Sequence, residues 1–419
     1  MRRALATALL CALCAAAHAD EPAAKPRLDL AAVQALLVAQ HLDGWLLYDL
    51  GGANPIAREV VAPAGIVTRR WFYLVPAKGE PVAIVPRMEQ MAFANVPGQK
   101  LDYGTWRELD AALRQTLRGR HRVAMEYAPR GELPFFSKVD AGTVEMVRAL
   151  GVTVVSSADL VQSAKARWGD AGYAAHKLAA ERLDAIKDDA FAWIGAEVRA
   201  GRAPSETDVQ AHMWKEFAAR GVAADGKPIV AVNENAANPH YAPGAAGAKT
   251  IHRGDLVLID LWGRVAGEPR AIYADITWVG YVGDVVPARV ATLWKLVTDA
   301  RDAAVALVAA RVKAKQPVRG FEADRAARDV IEQAGHGAHF IHRTGHSIDT
   351  ADHGDGANLD DYETHDPRLL VEGAGFSVEP GVYLPGDLGL RSEIDCYIGH
   401  DGLEVTTRAQ KEIVPILAK

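Results

Sequence analysis

The sequence predicts an α+β chain of two domains: an N-terminal α/β domain over residues 27–165 and an internally duplicated C-terminal domain over residues 170–415. Three observations carry that reading. Between Leu28 and Ser163, short apolar runs alternate with helical periodicity, as in a sheet covered by helices. A long helical pattern from Ala171 to Ala200, ended by Gly201, opens the second domain. Further on, two strand–turn–strand segments about 120 residues apart each carry acids inside apolar runs.

Composition excludes several classes. With 49% hydrophobic and 24% charged residues among 419, the chain is that of an ordinary globular protein with ample core. A formal net charge of −6 offers no basic footprint for nucleic acid, and 7% aromatics argue against a base-stacking platform. Cys11, Cys14 and Cys396 cannot build a disulfide framework.

The N-terminus reads as a secretory signal peptide over residues 1–19. Arg2 and Arg3 precede a largely apolar run from Ala4 to Ala17, and Ala17-His18-Ala19 fits the small-x-small cleavage pattern. That run is shorter than the roughly 20 residues a membrane span needs. The expected product is exported, periplasmic or secreted, with no membrane anchor and with Cys396 as its remaining cysteine.

In the first domain, Leu30–Gln40 has a helical pattern and Trp45–Tyr48 is a short apolar strand. Trp71–Val75 and Val82–Val85 flank the turn Pro76-Ala77-Lys78-Gly79 and read as a hairpin. Helical periodicity returns over Leu109–Leu117, followed by strands at Arg122–Met125 and Val152–Val155. The domain shows no phosphate loop and no clustered histidines, so its expected role is architectural or regulatory. In the second domain, Ser205-x-x-Asp208 is a capping signal for a helix that stops before Gly221.

The chemistry is expected from acids and histidines. Asp255–Leu261 is a buried-strand pattern with Asp260 within it, and Ile272–Thr277 repeats the oddity with Asp275. Paired around Gly267, these strands would set the two acids roughly opposite each other. The second hairpin is centred on the turn glycine Gly386, which sets Glu379 against Glu393. Each buried carboxylate costs several kcal/mol to desolvate, and neither strand of the first pair carries Lys or Arg in its core. Four carboxylates are balanced by two divalent cations, and oxygen-rich ligation suits Mn²⁺ or a similar ion, with Co²⁺ or Zn²⁺ as alternatives.

Six of the 14 histidines fall between His336 and His365. His342 and His346 have the i, i+4 spacing of helix-borne ligands, but Thr344-Gly345 make a poor helix and there is no HExxH glutamate. A strand or turn that presents one histidine to a metal is expected instead. Spacing alone does not choose which.

Taken together, Asn238-Pro239-His240-Tyr241, the Asp260/Asp275 pair, Gly345-His346-Ser347-Ile348, Val378-Glu379-Pro380-Gly381 and Arg391-Ser392-Glu393 follow the order of the pita-bread metallopeptidases. The chain resembles that superfamily, which includes Xaa-Pro aminopeptidase, prolidase and creatinase, over about residues 170–415. The segment before it resembles the creatinase-type N-terminal domain. The resemblance implies a pita-bread fold with pseudo-twofold duplication and a homodimeric assembly. It implies Asp260, Asp275, His346, Glu379 and Glu393 as ligands of two metals, with Asp275 and Glu393 bridging. His240 and His353 would contact substrate, His342 would line the pocket, and Glu379 would move the proton. The Asp260–Asp275 spacing is longer than usual for the family, which implies an extended first hairpin, and Leu261-Trp262 would reshape the pocket rim. The activity implied is exopeptidase cleavage of Xaa-Pro peptides. An aminopeptidase is the leading expectation and an Xaa-Pro dipeptidase its alternative; a creatinase-like hydrolase or an inactive binding protein would be expected to have lost ligands that are all present. A dipeptidase needs a cation for the substrate's C-terminal carboxylate, for which Arg368, with Arg391 second, is the expected candidate.

Overall fold

The computed structural model describes residues 28–244, 247–268 and 270–418. The signal peptide expected over residues 1–19 lies outside them. Among the described residues no helix is long and apolar enough to cross a membrane.

The first elements in chain order are α1 (Leu30–Ala39), β1 (Gly44–Asp49), α2 (Pro55–Val61), β2 (Trp71–Pro76), β3 (Val82–Pro86), β4 (Gln99–Tyr103), α3 (Trp106–Leu117), β5 (Arg122–Met125), α4 (Ala141–Arg148), β6 (Thr153–Ser156) and α5 (Ala158–Lys165). Their strands form one sheet in the order β4-β3-β2-β1-β5-β6, mixed in direction. Its central strands are apolar without interruption because both faces are covered. Trp45, Leu47, Trp71 and Tyr73 pack under α1, α2 and α5, whereas Leu46, Tyr48, Phe72 and Leu74 pack under α3 and α4. The sequence does not show the short helices α2, α4 and α5, which are too brief to display a clear period.

The chain continues with α6 (Gly169–Arg199), α7 (Glu206–Ala219), β7 (Val222–Ala223), β8 (Ile229–Val232), β9 (Leu256–Val265) and β10 (Ala274–Tyr281). Next come α8 (Ala288–Lys313), α9 (Gly320–Gln333), β11 (Ser347–Ile348), β12 (Gly375–Val378), β13 (Gly381–Leu384), β14 (Leu388–Arg391), β15 (Ile394–Gly399), β16 (Gly402–Val405) and β17 (Val414–Pro415). A long helix, a 14-residue helix and acid-bearing antiparallel strands thus occur twice, which is the duplication expected from the acids. The Ser205/Asp208 capping box starts α7.

Each half buries one face of its strands under its own helices. On β9, Val257, Ile259 and Leu261 pack with α6 and α7. The alternate residues Leu256, Leu258 and Asp260 therefore point the other way, toward the second half. In that half, Phe376, Val378, Ile394, Cys396 and Ile398 pack with α8 and α9. Alternation turns Ser377, Glu379, Glu393 and Asp395 back toward the first half. The acids therefore meet between the two halves.

Candidate metal centre

The two hairpins deliver their acids with different registers. Val378 pairs with Ile394 and Gly381 with Arg391, a common register that sets Glu379 against Glu393 around the turn at Gly386, whose φ is +76°. On β9–β10, Asp260 pairs with Thr277 and Asp275 with Trp262. The expectation of roughly opposite aspartates is corrected: they are diagonal, two positions apart. An even offset keeps both on one face. The shift arises just before β10, where Ile272 and Tyr273 pack with Trp168 and Tyr273 N–H donates to Asp349 O at 3.0 Å.

His346 reaches the acids from the 341–346 segment, which is not helical. Gly345 makes this approach feasible, since a Cβ there would lie 2.0 Å from Ser377 O. Nδ1 of His346 donates to Ser347 O at 3.2 Å, leaving Nε2 free of its proton, 3.4 Å from Glu379 Oε1 and 3.6 Å from Asp275 Oδ2. Burial lowers the His346 pKa well below the usual range, so the ring is neutral.

Together with these residues, His240, His342, His353 and Arg391 line one cavity of about 680 Å³. His353 packs against His346 with ring centroids 4.2 Å apart and the ring planes tilted by 53°. The loop carrying His240 is tied down by buried Glu206, which accepts from Val232 N–H, Asn235 Nδ2, the Tyr241 hydroxyl and Lys249 N–H. His342 donates through Nδ1 to Arg343 O at 2.7 Å and accepts from the Tyr383 hydroxyl at 2.7 Å.

Arg368 is the exception among the expected site residues. It is buried outside this lining, its guanidinium engaged by Asp366 (Nη2–Oδ2 2.7 Å) and by Asp355 O at 2.9 Å. Asp366 belongs to its own loop, where its Oδ2 also accepts Asn358 N–H at 2.9 Å, so Arg368 braces the fold.

The cavity also takes in Asp225, Trp262, Arg343, Asp352 and Glu363. Of these only Trp262 is expected from the sequence; its indole donates to Asp225 Oδ1 at 2.7 Å. Asp352 adjoins His353 in sequence, and an acid beside a candidate histidine was the available signal for it. Asp395, two residues past Glu393 on the same strand face, was legible by the same alternation.

Electrostatically the site is overloaded with acid. Burial, then the neighbouring carboxylates, pushes Asp275 and Glu393 well above the usual range. Burial raises Glu379 to about 7 against the opposing pull of Arg391 and Arg343. Arg391 supplies counter-charge across the halves: Nη2 pairs with Asp260 Oδ2, and Nε donates to Thr277 Oγ1 at 3.0 Å. Yet Asp275 Oδ1 and Glu393 Oε1 are buried with no hydrogen-bond partner among the described residues. Donor atoms of Asp275, His346 and Glu393 lie within 4.8 Å of one another. Unpaired buried carboxylate oxygens facing the free nitrogen of a neutral imidazole fit divalent cations.

Comparison with known proteins agrees with this geometry. The chain is 34% identical over 194 residues to an Xaa-Pro dipeptidase of Lactobacillus helveticus, a match spanning 45% of this chain and about half (47%) of that protein. It is 25% identical over 348 residues to a probable dipeptidase PepE of Mycobacterium tuberculosis (strain ATCC 25618 / H37Rv), covering 82% of this chain and 84% of that one. Among solved structures, dipeptidase PepE of Mycobacterium ulcerans superposes with a TM-score of 0.67 at 24% identity, covering 92% and 96% of the two chains. The Xaa-Pro dipeptidase of Bacillus anthracis gives 0.63 at 22%, covering 92% and 98%. An X-prolyl aminopeptidase of Caenorhabditis elegans, described as having a di-nuclear active site, gives 0.62 at 15%, covering 93% and 63%. These likenesses establish the pita-bread fold. Residues 174–400, more than half of the chain, match metallopeptidase family M24, and the chain belongs to that family.

Proposed function

We propose that this chain is a dinuclear-metal dipeptidase that cleaves Xaa-Pro dipeptides. The observation that carries this reading is the pair of unpartnered buried oxygens on Asp275 and Glu393 beside His346, at the base of a cavity whose volume suits a small molecule. Relatives named as Xaa-Pro dipeptidases in Lactobacillus helveticus, Lactobacillus delbrueckii and Pyrococcus furiosus favour the dipeptidase alternative over the aminopeptidase first expected.

Asp260, Asp275, His346, Glu379 and Glu393 would hold the two ions. Four carboxylates to one imidazole favour Mn²⁺ among the candidates. When bound, the ions supply Lewis-acid polarisation of the scissile carbonyl and a water of lowered pKa. The chain's own groups do the rest. His240 and His353 line the cavity where a substrate carbonyl oxygen would be met, and donate to it as negative charge develops. Ser377 Oγ donates to Glu379 Oε1 at 3.3 Å and steadies the group that carries a proton to the leaving nitrogen. Arg391 and Tyr383, joined at 3.4 Å, hold His342 and Asp260 in place.

Proline at the second position makes the scissile bond a tertiary amide without N–H. Recognition by strand addition fails there, and recognition by the peptide's ends replaces it. We also assign the enzyme to an exported compartment, on the strength of the leader-like residues 1–19. The test is a mass-read panel of Ala-Pro, Ala-Pro-Ala-Ala and Ala-Ala on Mn²⁺-loaded protein. Ala-Pro should be cleaved fastest; preference for Ala-Pro-Ala-Ala would return the reading to an aminopeptidase.

A further inference from the structure

A substrate carboxylate needs a cation that the fold has not already engaged. Arg391 has all its nitrogens occupied: Nη2 on Asp260, Nε on Thr277 Oγ1, and Nη1 on the Tyr383 hydroxyl at 3.4 Å. Arg368 is held by Asp366.

Arg343 differs from both. Its side chain lines the cavity, and no ion pair or hydrogen bond joins its guanidinium to any described residue. Its backbone is anchored, with the N–H donating to Glu363 Oε1 at 3.1 Å and the carbonyl accepting from His342 Nδ1. Glu363 is set in turn by Asp360, whose Oδ1 accepts from Tyr362 and Glu363 N–H. On the other side, Thr344 is pinned to buried Asp324 through both its N–H and its hydroxyl. A fixed Cα thus carries a free guanidinium at the cavity wall. Its charge acts on His346, His353 and Glu379, which places it within electrostatic reach of the reacting groups. Guanidinium matches carboxylate with two parallel hydrogen bonds, a geometry that lysine cannot reproduce.

We propose that Arg343 receives a carboxylate of the substrate. The inference rests on the dipeptidase reading. A peptide offers that group from its C-terminus or from an acidic side chain, and the experiment separates the two.

Wild type, Arg343→Gln and Arg343→Lys, each loaded with Mn²⁺, are assayed on Ala-Pro, Ala-Pro-amide and Asp-Pro-amide, with melting temperatures recorded. If Arg343 binds the C-terminus, Arg343→Gln raises KM for Ala-Pro by about tenfold or more, as for a lost charged hydrogen bond. KM for Ala-Pro-amide then stays unchanged, kcat holds within about twofold on the scale of that loss, and Arg343→Lys rescues only in part. A KM increase confined to Asp-Pro-amide assigns the same contact to an acidic Xaa side chain. Unchanged KM on all three substrates, or an equal rise on all three with a lowered melting temperature, overturns the proposal. Failure of wild type to cleave Ala-Pro sinks the dipeptidase reading itself, and is seen before any variant is made.

Discussion

Asp275 and Asp395 join the two halves of the catalytic domain: the backbone N–H of Asp275 donates to Asp395 Oδ2 at 2.8 Å. The other Asp395 oxygen is buried without a hydrogen-bond partner among the described residues, as is Asp275 Oδ1. Beside them, the Thr277 hydroxyl donates to Glu393 Oε2 at 2.7 Å. The halves are thus stitched together at a cluster of mutually repelling carboxylates, and cations at this seam should hold it closed.

Chelation should therefore lower the melting temperature, and by more at pH 7.5 than at pH 5.5. Without metal, Glu379 is raised from 4.5 to about 7, so its contribution is complete below about 4.5 and disappears as pH rises toward 7. Asp275 and Glu393 are raised in the same direction. Bound ions replace those protons and stabilise by mass action. A fall of about 5 °C or more at pH 7.5 is expected by scanning fluorimetry, with recovery on adding Mn²⁺ or Co²⁺. Identical curves with and without chelator would count against a metal at the seam.

His346→Ala should lose metal, whereas His240→Ala and His353→Ala should keep it and lower kcat by about 10²-fold, the scale of a lost oxyanion donor. Metal content by elemental analysis and kcat on Ala-Pro decide this. An emptied site in His240→Ala with a filled one in His346→Ala would reverse the assignment.

Arg368→Met should destabilise without changing KM for Ala-Pro. Removing the guanidinium leaves the buried Asp366 carboxylate without its counter-charge, a loss of about 3–5 kcal/mol. Urea unfolding measures the first effect and steady-state kinetics the second. A raised KM at unchanged stability would restore Arg368 to the substrate site.

Lys165→Met should slow catalysis from the domain junction. Lys165, at the end of α5, is buried between Glu59 on α2 at 2.7 Å and Asp355. Asp355 ends the loop that carries Asp352 and His353, and Gln162 one turn earlier accepts from Ala357 N–H at 2.7 Å. Loss of the cation should loosen this loop and lower kcat on the order of tenfold through misplaced His353, with metal content unchanged. Full activity in Lys165→Met would show that the loop holds itself.

By itself, the sequence determined the layered α+β fold, the duplication and the residues that carry acid. Doubly covered strands such as Trp71–Val75 are continuously apolar, and an acid inside such a run stands out locally. The Glu379–Glu393 opposition was legible too, because a tight turn at Gly386 sets register by counting. Only the tertiary structure decided the rest. The Asp260–Asp275 offset comes from the segment just before β10, which packs against Trp168, a contact made about 100 residues away in sequence. Which arginine is free was decided by three-dimensional neighbours: Asp366 folds back onto Arg368, Asp260 crosses from the other half to Arg391, and nothing reaches the guanidinium of Arg343 among the described residues. Residue type and local period are written along the chain, whereas charge pairing depends on which distant segments the packed core brings within a few ångströms.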